Sequence, residues 1–423
     1  MLLFACGTDG PAAPAGVDLQ GHLDVRQDTP AQNETRMDET PPVEATTQDA
    51  VVPEIPFPLG LHDASQIVLT GPGTLEAGGE EWRWDVYENP AYRCGRSGFF
   101  TFLVLEREAD VSQERPLWLF LRGGGVGYYF PDGAYLGSED ANDMMNAGVL
   151  LGSLTAQAVD PAGNYMNTVA GQRMEEGWRL AAVSMCDHDL HSGLGTPYPH
   201  NPHHGGEGDT VDGLMANLAA VDLILRGNDG LSPYPSSLLF LHGESAGSAG
   251  TWSLAYGLHR QGVAVAGAIL DSYTVTERQL SLYGKGCTPL EMIEGFTIDG
   301  LNEKIGLMFT EPAVFVENVV ASGFPVPLFD LVSEMDYHCC GFVGPLPEAI
   351  AAGYDGNCAW ARGVLHDAMD ARPSGEHHAH LVIEDSTVHV LSLKEGPVQE
   401  ALEAWVQQIL NASPPRPIGT DAQ

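Results

Sequence analysis

The sequence predicts an α/β protein built on a mostly parallel central sheet with helices on both faces. Strand-like apolar stretches alternate with helix-like stretches through most of the chain, which is the order of strands joined by crossover helices. Residues 117–121 and 238–241 are continuous apolar runs, as strands covered on both faces are. In such sheets, chemistry takes place in the loops at the carboxyl ends of the strands.

The remaining elements are assigned from their periodicity. Residues 83–87 and 99–105 are short and rich in β-formers, which predicts an early antiparallel hairpin. Residues 211–225 place apolar side chains on one face and predict a helix, as do residues 246–258 and the closing residues 398–410. Further strands are predicted at residues 178–184, 263–270, 326–332 and 379–383.

Composition divides the chain into a leader and one large domain. Residues 1–6 end in Leu3-Phe4-Ala5-Cys6, which is similar to a partial bacterial lipoprotein signal whose lipidated residue is Cys6; a chance apolar start is the alternative. Residues 7–55 are acidic and rich in proline, with few large apolar side chains, which predicts a disordered linker. We expect a folded domain over 56–412 and a disordered tail over 413–423. The leader predicts an exported protein, either secreted or anchored in the cell envelope.

The charge balance narrows the possible partners. The chain has 57 acidic residues and 19 Lys and Arg residues, a net charge of −38. Such a charge repels phosphate backbones and anionic lipids, so nucleic-acid binding is disfavoured. Beyond the start of the chain no apolar stretch is long enough to cross a bilayer, so the expected membrane contact is a lipid on Cys6. Six of the seven cysteines remain for disulfides, with buried free thiols as the alternative.

One motif predicts a catalytic nucleophile. Gly243-Glu244-Ser245-Ala246-Gly247 fits Gly-x-Ser-x-Gly, and it lies between a predicted strand and a predicted helix. That context is the one a nucleophile elbow requires, and it predicts the α/β-hydrolase fold. In the tight turn the backbone N–H of Ala246 and the helix N-terminus point toward a developing oxyanion. An ordinary glycine-rich turn is the alternative.

A second glycine motif follows the predicted strand at 117–121. Gly123-Gly124-Gly125 lets the backbone approach a substrate closely, so Gly124 and Gly125 are predicted to donate N–H groups to the oxyanion. No Gly-x-x-x-x-Gly-Lys pattern accompanies it, which argues against phosphate binding. Tyr128 and Tyr129 come directly afterwards and are candidates for the wall of a substrate pocket, or for packed side chains.

A serine nucleophile requires a histidine base held by a carboxylate, in the chain order Ser, acid, His in this fold. Asp336 follows a predicted strand downstream of Ser245 and is the expected acid, with Asp271, one strand earlier, as the rival. His389 follows the last predicted strand and is the expected base. This chemistry requires no cofactor and no metal.

A second cluster of polar side chains keeps another chemistry open. His188, Asp189 and His191 precede a loop with further metal-ligand types, and together they suggest a metal-dependent hydrolase over residues 188–209. The spacing matches no zinc signature, and the simpler interpretation is that these are polar side chains of a surface loop. His191 is also a candidate for lining the active site. The further residues of the cluster are His200, His203, His204, Glu207 and Asp209.

Residues 92–389 resemble the pectin acetylesterase and Notum carboxylesterase family of α/β-hydrolases. The resemblance lies in an early Cys-x-x-Gly-Ser-like segment at Cys94, the triple-glycine loop, the segment after Cys186, the nucleophile motif and the acid at Asp336. It implies that Cys94 pairs with Cys186. It also implies a serine esterase that hydrolyses carboxylic esters, acetyl esters among them, on a small molecule or a polysaccharide. A catalytically inactive binding lipoprotein on a hydrolase scaffold is the third alternative.

Overall fold

A nine-stranded mixed sheet forms the centre of the molecule. The computed structural model describes residues 62–95, 98–124, 128–129, 135–136, 147–185, 188–197, 210–272, 276, 316–336, 358–384, 386–394 and 396–412. The predictions for the leader, the linker and the tail, and those for Cys6, Gly125 and Cys186, lie outside these residues. The pairing of Cys94 with Cys186 therefore stays a prediction.

The strands occur in the following chain order. They are β1 (Val68–Ala77), β2 (Glu80–Arg93), β3 (Phe99–Arg107), β4 (Arg115–Leu121), β5 (Tyr128–Tyr129), β6 (Tyr135–Leu136), β7 (Arg179–Val183), β8 (Thr196–Pro197), β9 (Thr210–Val211), β10 (Ser236–Glu244), β11 (Gly267–Asp271), β12 (Leu328–Ser333) and β13 (Ala379–Ile383). The main sheet has the order β1-β2-β3-β7-β4-β10-β11-β12-β13. Strands β1 to β3 pair antiparallel, β3 joins β7 antiparallel, and all pairs from β7 to β13 are parallel.

Helices cover both faces of this sheet. They are α1 (Ala147–Ala156), α2 (Val169–Glu175), α3 (Gly213–Arg226), α4 (Ala246–Arg260), α5 (Val316–Ala321), α6 (Cys358–Asp370) and α7 (Pro397–Ala412). Side chains of α3, α4, α5 and α6 belong to one apolar layer, and those of α1, α2 and α7 to the other. No helix in the described ranges is long and apolar enough to cross a lipid bilayer.

Strand β4 shows why the apolar runs of the sequence become central strands. Leu117, Leu119 and Leu121 point into the layer of α3 and α4, whereas Trp118 and Phe120 point into the layer of α1 and α7. All five side chains are buried. Because successive side chains of a strand point to opposite faces, a run that is apolar at every position suits a strand covered on both sides.

The predicted α/β architecture is confirmed, and so is the early antiparallel hairpin, which β2 and β3 form. The predicted strands and helices occur with ends that differ by a few residues. Strand β1 was not predicted, because its Gly71-Pro72-Gly73 segment carries turn-forming residues rather than an apolar alternation. A bulge between Leu69 and Gly71 lets this edge strand accommodate them.

The parallel half of the sheet brings several loop starts to one edge. Strands β4, β10, β11, β12 and β13 all end there, at Leu121, Glu244, Asp271, Ser333 and Ile383. The glycine loop, the Ser245 turn and the segments that carry Asp336 and His389 all begin at these ends. The fold therefore gathers the predicted site residues at the carboxyl edge.

Candidate active site

Ser245 occupies a strained turn between β10 and α4. Its backbone angles are φ 52° and ψ −122°, a conformation that L-residues with a side chain rarely adopt. Such strain costs about 1–3 kcal/mol and persists only where the surroundings hold it. The Ser245 N–H donates to the Asp271 carbonyl over 2.9 Å, and the Ser248 N–H donates to the Ser245 carbonyl over 2.9 Å. This is the geometry of a nucleophile elbow.

The glycines of the motif are required by crowding around this turn. A Cβ on Gly243 would collide with the Gly247 carbonyl, and a Cβ on Gly247 would collide with the Leu121 carbonyl at the end of β4. A Cβ on Gly123 would lie 2.8 Å from the Ser245 Cβ and 2.8 Å from the Glu244 carbonyl oxygen. The glycine loop after β4 therefore lies directly against the Ser245 turn.

Asp336 and His389 form a hydrogen-bonded pair at the same edge. His389 Nδ1 lies 2.7 Å from Asp336 Oδ2. The Asp336 side chain is fully buried, and that of His389 is 13% exposed. A buried carboxylate on Nδ1 holds an imidazole in the tautomer whose other nitrogen can accept a proton. The structure thus brings together the two residues predicted as acid and base, while their catalytic roles stay a prediction.

Asp271, the rival acid, has a different set of contacts. Its carboxylate accepts the backbone N–H of Leu391 over 3.0 Å and that of Ser392 over 2.7 Å. It also accepts the Ser272 hydroxyl. Since Asp336 is bonded to the imidazole, Asp271 is not the acid of the histidine pair in this structure. It holds the chain that follows His389 instead.

The predicted oxyanion donors lie beside Ser245 where the structure describes them. Ala246 is the first residue of α4, and the first N–H groups of a helix have no acceptor within it. Gly124 follows Gly123, which packs on Ser245, whereas Gly125 lies outside the described residues. The role of these three residues as oxyanion donors stays a prediction.

His191 lies behind the glycine loop, and its predicted part in lining the active site stays a prediction. Its side chain is fully buried, and Nε2 lies 3.0 Å from the Arg122 carbonyl oxygen at the start of the glycine loop. Nδ1 lies 3.4 Å from the Asn217 amide nitrogen. Burial lowers the pKa of His191 to about 4, so the ring is neutral at pH 7 and donates Nε2–H to Arg122. His191 supports the glycine loop from below.

Glu244 is a site residue that the motif alone did not reveal. Its carboxylate accepts a hydrogen bond from Gln157 Nε2 over 3.1 Å, and its carbonyl oxygen packs against Gly123. Burial, followed by the nearby charge of Asp271, raises the pKa of Glu244 to about 7. The residue before Ser245 thus packs against the glycine loop through its main chain and binds Gln157 through its side chain. Only the fold reveals this, because the x positions of the motif have no required residue type.

The predicted metal cluster finds no support among the described residues. Within them, no group of three His, Cys, Asp or Glu side chains is arranged to hold a metal ion. Asp189 accepts the N–H groups of His191, Gly193 and Gly213 over 2.8–2.9 Å, and so it caps the start of α3. The later histidines of the cluster and the side chains of Tyr128 and Tyr129 lie outside the described residues, so their roles stay predictions.

The strand order and the Ser245 turn together define an α/β-hydrolase fold. The strand order crosses over between β7 and β4, the Ser245 turn joins β10 to α4, and Asp336 and His389 follow β12 and β13. These three residues follow the chain order serine, aspartate, histidine that is typical of that fold, at the carboxyl edge of a mostly parallel sheet.

Solved structures similar to this chain include esterases. A thermostable esterase from Pseudomonas putida is 13% identical, with 82% of this chain and 83% of that chain covered and a TM-score of 0.33. A glucuronoyl esterase from Solibacter usitatus is 11% identical, with 82% and 84% covered and a TM-score of 0.40. No protein-family model and no curated protein matches the sequence. The resemblance to pectin acetylesterases therefore stays a prediction, and the fold assignment follows from the strand order and the Ser245 turn.

Proposed function

We propose that this protein is a serine hydrolase of carboxylic esters, with Ser245 as nucleophile, His389 as base and Asp336 as the acid that orients it. The observation that carries the proposal is the strained Ser245 turn at the same sheet edge as the Asp336–His389 hydrogen bond. Asp271 contacts both segments, through its carbonyl to Ser245 and through its carboxylate to the chain after His389. Asp271 is thus hydrogen-bonded both to the proposed nucleophile and to the segment that follows the proposed base.

The proposed reaction proceeds in two halves. The Ser245 hydroxyl oxygen attacks the ester carbonyl carbon while His389 takes its proton, and the N–H groups of Gly124, Gly125 and Ala246 stabilise the oxyanion. The tetrahedral intermediate expels the alcohol, which receives the proton from His389. Water then attacks the acyl-enzyme with His389 again as base, the bond between the acyl carbon and the Ser245 oxygen breaks, and His389 returns the proton to that oxygen as the carboxylic acid leaves. All bonds are formed and broken between the substrate, water and this chain.

Labelling with a fluorophosphonate probe tests the proposal. Full-length wild type is compared with Ser245→Ala and with Ser248→Ala, a matched control three residues further on, in the first turn of α4. We expect labelling of wild type and of Ser248→Ala but not of Ser245→Ala. Hydrolysis of p-nitrophenyl acetate should fall by roughly 10⁶-fold on loss of Ser245. Wild type that does not label would overturn the proposal, as would activity that survives Ser245→Ala and disappears with a chelator.

The substrate class proposed here is acetyl esters, including those on polysaccharides. Its support is the resemblance of residues 92–389 to pectin acetylesterases. A panel of p-nitrophenyl esters of increasing acyl length, together with acetylated pectin and acetylated xylan, tests it. Preference for acetyl over longer acyl groups, with acetate released from a polymer, is the expected result. Preference for long acyl chains would contradict it.

Export with a lipid on Cys6 is also a proposal. Its support is the Leu3-Phe4-Ala5-Cys6 segment followed by an acidic linker. Expression with a complete bacterial signal, followed by mass spectrometry of the N-terminal peptide, tests whether Cys6 carries a diacylglycerol. A Cys6→Ser variant is the control, and an unmodified Cys6 in the wild type would contradict this proposal.

A further inference from the structure

We propose that Asp271 is a positioning residue that sets the place of the His389 imidazole relative to Ser245. The inference rests on the proposed function, because it assigns a task within the same site. Asp271 is the last residue of β11, which lies between the strand before Ser245 and the strand before Asp336. Asp271 is fully buried, and the carboxylate that is hydrogen-bonded to the His389 imidazole is that of Asp336.

The carboxylate of Asp271 binds the backbone that follows His389. Oδ1 accepts the Leu391 N–H over 3.0 Å, and Oδ2 accepts the Ser392 N–H over 2.7 Å. Bonds from backbone N–H groups to an ionised carboxylate are shorter and stronger than bonds between neutral groups. Both oxygens are thus used for one purpose, which is to hold two successive peptide groups.

Ser272 extends this grip toward His389. Its hydroxyl donates to Asp271 Oδ1 and accepts the Val390 N–H over 2.9 Å. Val390 has φ 64°, and a β-branched residue in the left-handed region is a genuine outlier. The N–H groups of residues 390, 391 and 392 are therefore all held by the Asp271–Ser272 pair. On the other side of His389, the Ser333 hydroxyl donates to the Val388 carbonyl over 2.6 Å.

The main chain of Asp271 holds the nucleophile. Its carbonyl accepts the Ser245 N–H over 2.9 Å, and β11 pairs in parallel register with β10 and β12. The Ser272 N–H donates to the Leu331 carbonyl in β12 over 2.7 Å. Asp271 is thus fixed in the sheet, with Ser245 on its carbonyl and the His389 loop on its side chain. A displacement of the side-chain bonds moves the base but leaves the nucleophile in place.

The test compares Asp271→Asn with Asp336→Asn, Ser272→Ala and a control, Glu106→Gln. The asparagine keeps the size of Asp271 but turns an amide donor toward one of the two N–H groups. Ser272→Ala is a milder second variant that removes the hydroxyl between Val390 and Asp271 but keeps the Asp271 bonds to Leu391 and Ser392. Glu106 is a buried carboxylate bonded to Arg179 at the opposite end of the sheet, so its loss reports general destabilisation. Each variant is assayed for kcat, KM, pH profile and thermal midpoint.

We expect Asp271→Asn to lower kcat by roughly 10²-fold, as a displacement of a catalytic group of about 1 Å does, with KM largely unchanged. Ser272→Ala should show a smaller loss of the same kind. The acid limb of the pH profile should stay where it is in the wild type, because Asp336 still faces His389. In Asp336→Asn that limb should move, since the imidazole loses its carboxylate. Unchanged kcat in folded Asp271→Asn, or the same kcat loss in Glu106→Gln at an equal thermal midpoint, would overturn the proposal.

A spectroscopic arm separates this inference from the proposed activity. In ¹H NMR spectra the Nδ1 proton of His389, bonded to Asp336, should resonate far downfield in wild type and vanish in Asp336→Asn. In Asp271→Asn we expect it to shift or broaden. A signal identical to that of wild type would overturn the positioning role. Because this signal does not depend on turnover, it tests Asp271 even if fluorophosphonate labelling fails and the esterase proposal falls.

Discussion

Two aspartate–histidine pairs lie on or just after the same strand with almost the same distance between carboxylate oxygen and ring nitrogen, although Asp336 faces Nδ1 of His389 and Asp330 faces Nε2 of His366. Asp336 and His389 are 2.7 Å apart, and Asp330 and His366 are 2.8 Å apart. Asp330 lies inside β12, whereas Asp336 lies three residues beyond its end. Arg362 Nη1 also bonds Asp330 over 3.0 Å, and the rings of His366 and His380 stack with centroids 4.0 Å apart.

The two pairs differ in their place in the sheet and in the Arg362 counterion, which contacts Asp330. Both members of the Asp330–Arg362 pair are fully buried, so an ionised side chain there must keep its partner. Burial alone would raise the pKa of Asp330, but the Arg362 charge and the His366 hydrogen bond bring it below its usual range. The His389 pair instead lies at the edge that carries Ser245, Glu244 and Asp271. An Asp–His distance therefore identifies a structural or a catalytic pair only together with its place in the sheet.

Removal of the Asp336 carboxylate should have the largest effect on activity. We expect Asp336→Asn to lower kcat by roughly 10⁴-fold, because the imidazole loses the group that holds its tautomer. The thermal midpoint should change little, since a partly exposed histidine remains as its neighbour. Steady-state kinetics and thermal unfolding measure the two effects. Glu334→Gln, two residues away, is the control, and near-normal turnover in Asp336→Asn would show that another group orients His389.

The interior pair should respond in the opposite way. We expect Asp330→Asn to lower the free energy of unfolding by about 3–5 kcal/mol, because Arg362 becomes a buried charge without its counterion. The kcat per folded molecule should stay near that of wild type. Urea unfolding followed by active-site titration measures both. In the double variant Asp330→Asn/Arg362→Met much of the stability should return, and a kcat loss comparable to that of Asp336→Asn would remove the distinction between the pairs.

The smallest expected effect is a pH dependence of stability at the edge. The folded-state pKa of Glu244, about 7, lies above the usual 4.5, so the folded protein retains a proton that the unfolded chain releases. Its contribution to stability is full below 4.5 and is lost as the pH rises through 7. Glu244→Gln should therefore lose less thermal stability than wild type between about pH 5 and about pH 8. Glu376→Gln, whose carboxylate has a pKa lowered by its hydrogen bonds from Arg372, should show no such gain. Parallel pH profiles of Glu244→Gln and wild type would contradict the expectation.

Much of this arrangement is encoded locally and was predictable. Strand β4 and the Gly243–Gly247 motif carry their own signals, because apolar runs form buried strands and crowding at a strand-to-helix turn demands glycine. Which of the two aspartates contacts His389 could not be predicted from the local sequence. Asp271 and Asp336 both follow parallel strands, and which carboxylate faces His389 depends on how the chain from 384 to 394 folds back. The contact of His191 with the Arg122 carbonyl was not predictable for the same reason, since an exposed loop histidine and a buried one look alike in sequence.

The clearance around Gly123 has a consequence for redesign. With less than 3 Å between the place of a Gly123 Cβ and the Ser245 Cβ, the glycine loop and the nucleophile turn leave no room for a larger side chain between them. Libraries that vary positions 123, 243 or 247 would be filled with misfolded members. Diversity is better introduced at Met335 and Leu393, exposed side chains that lie one residue before Asp336 and four residues after His389 in the sequence.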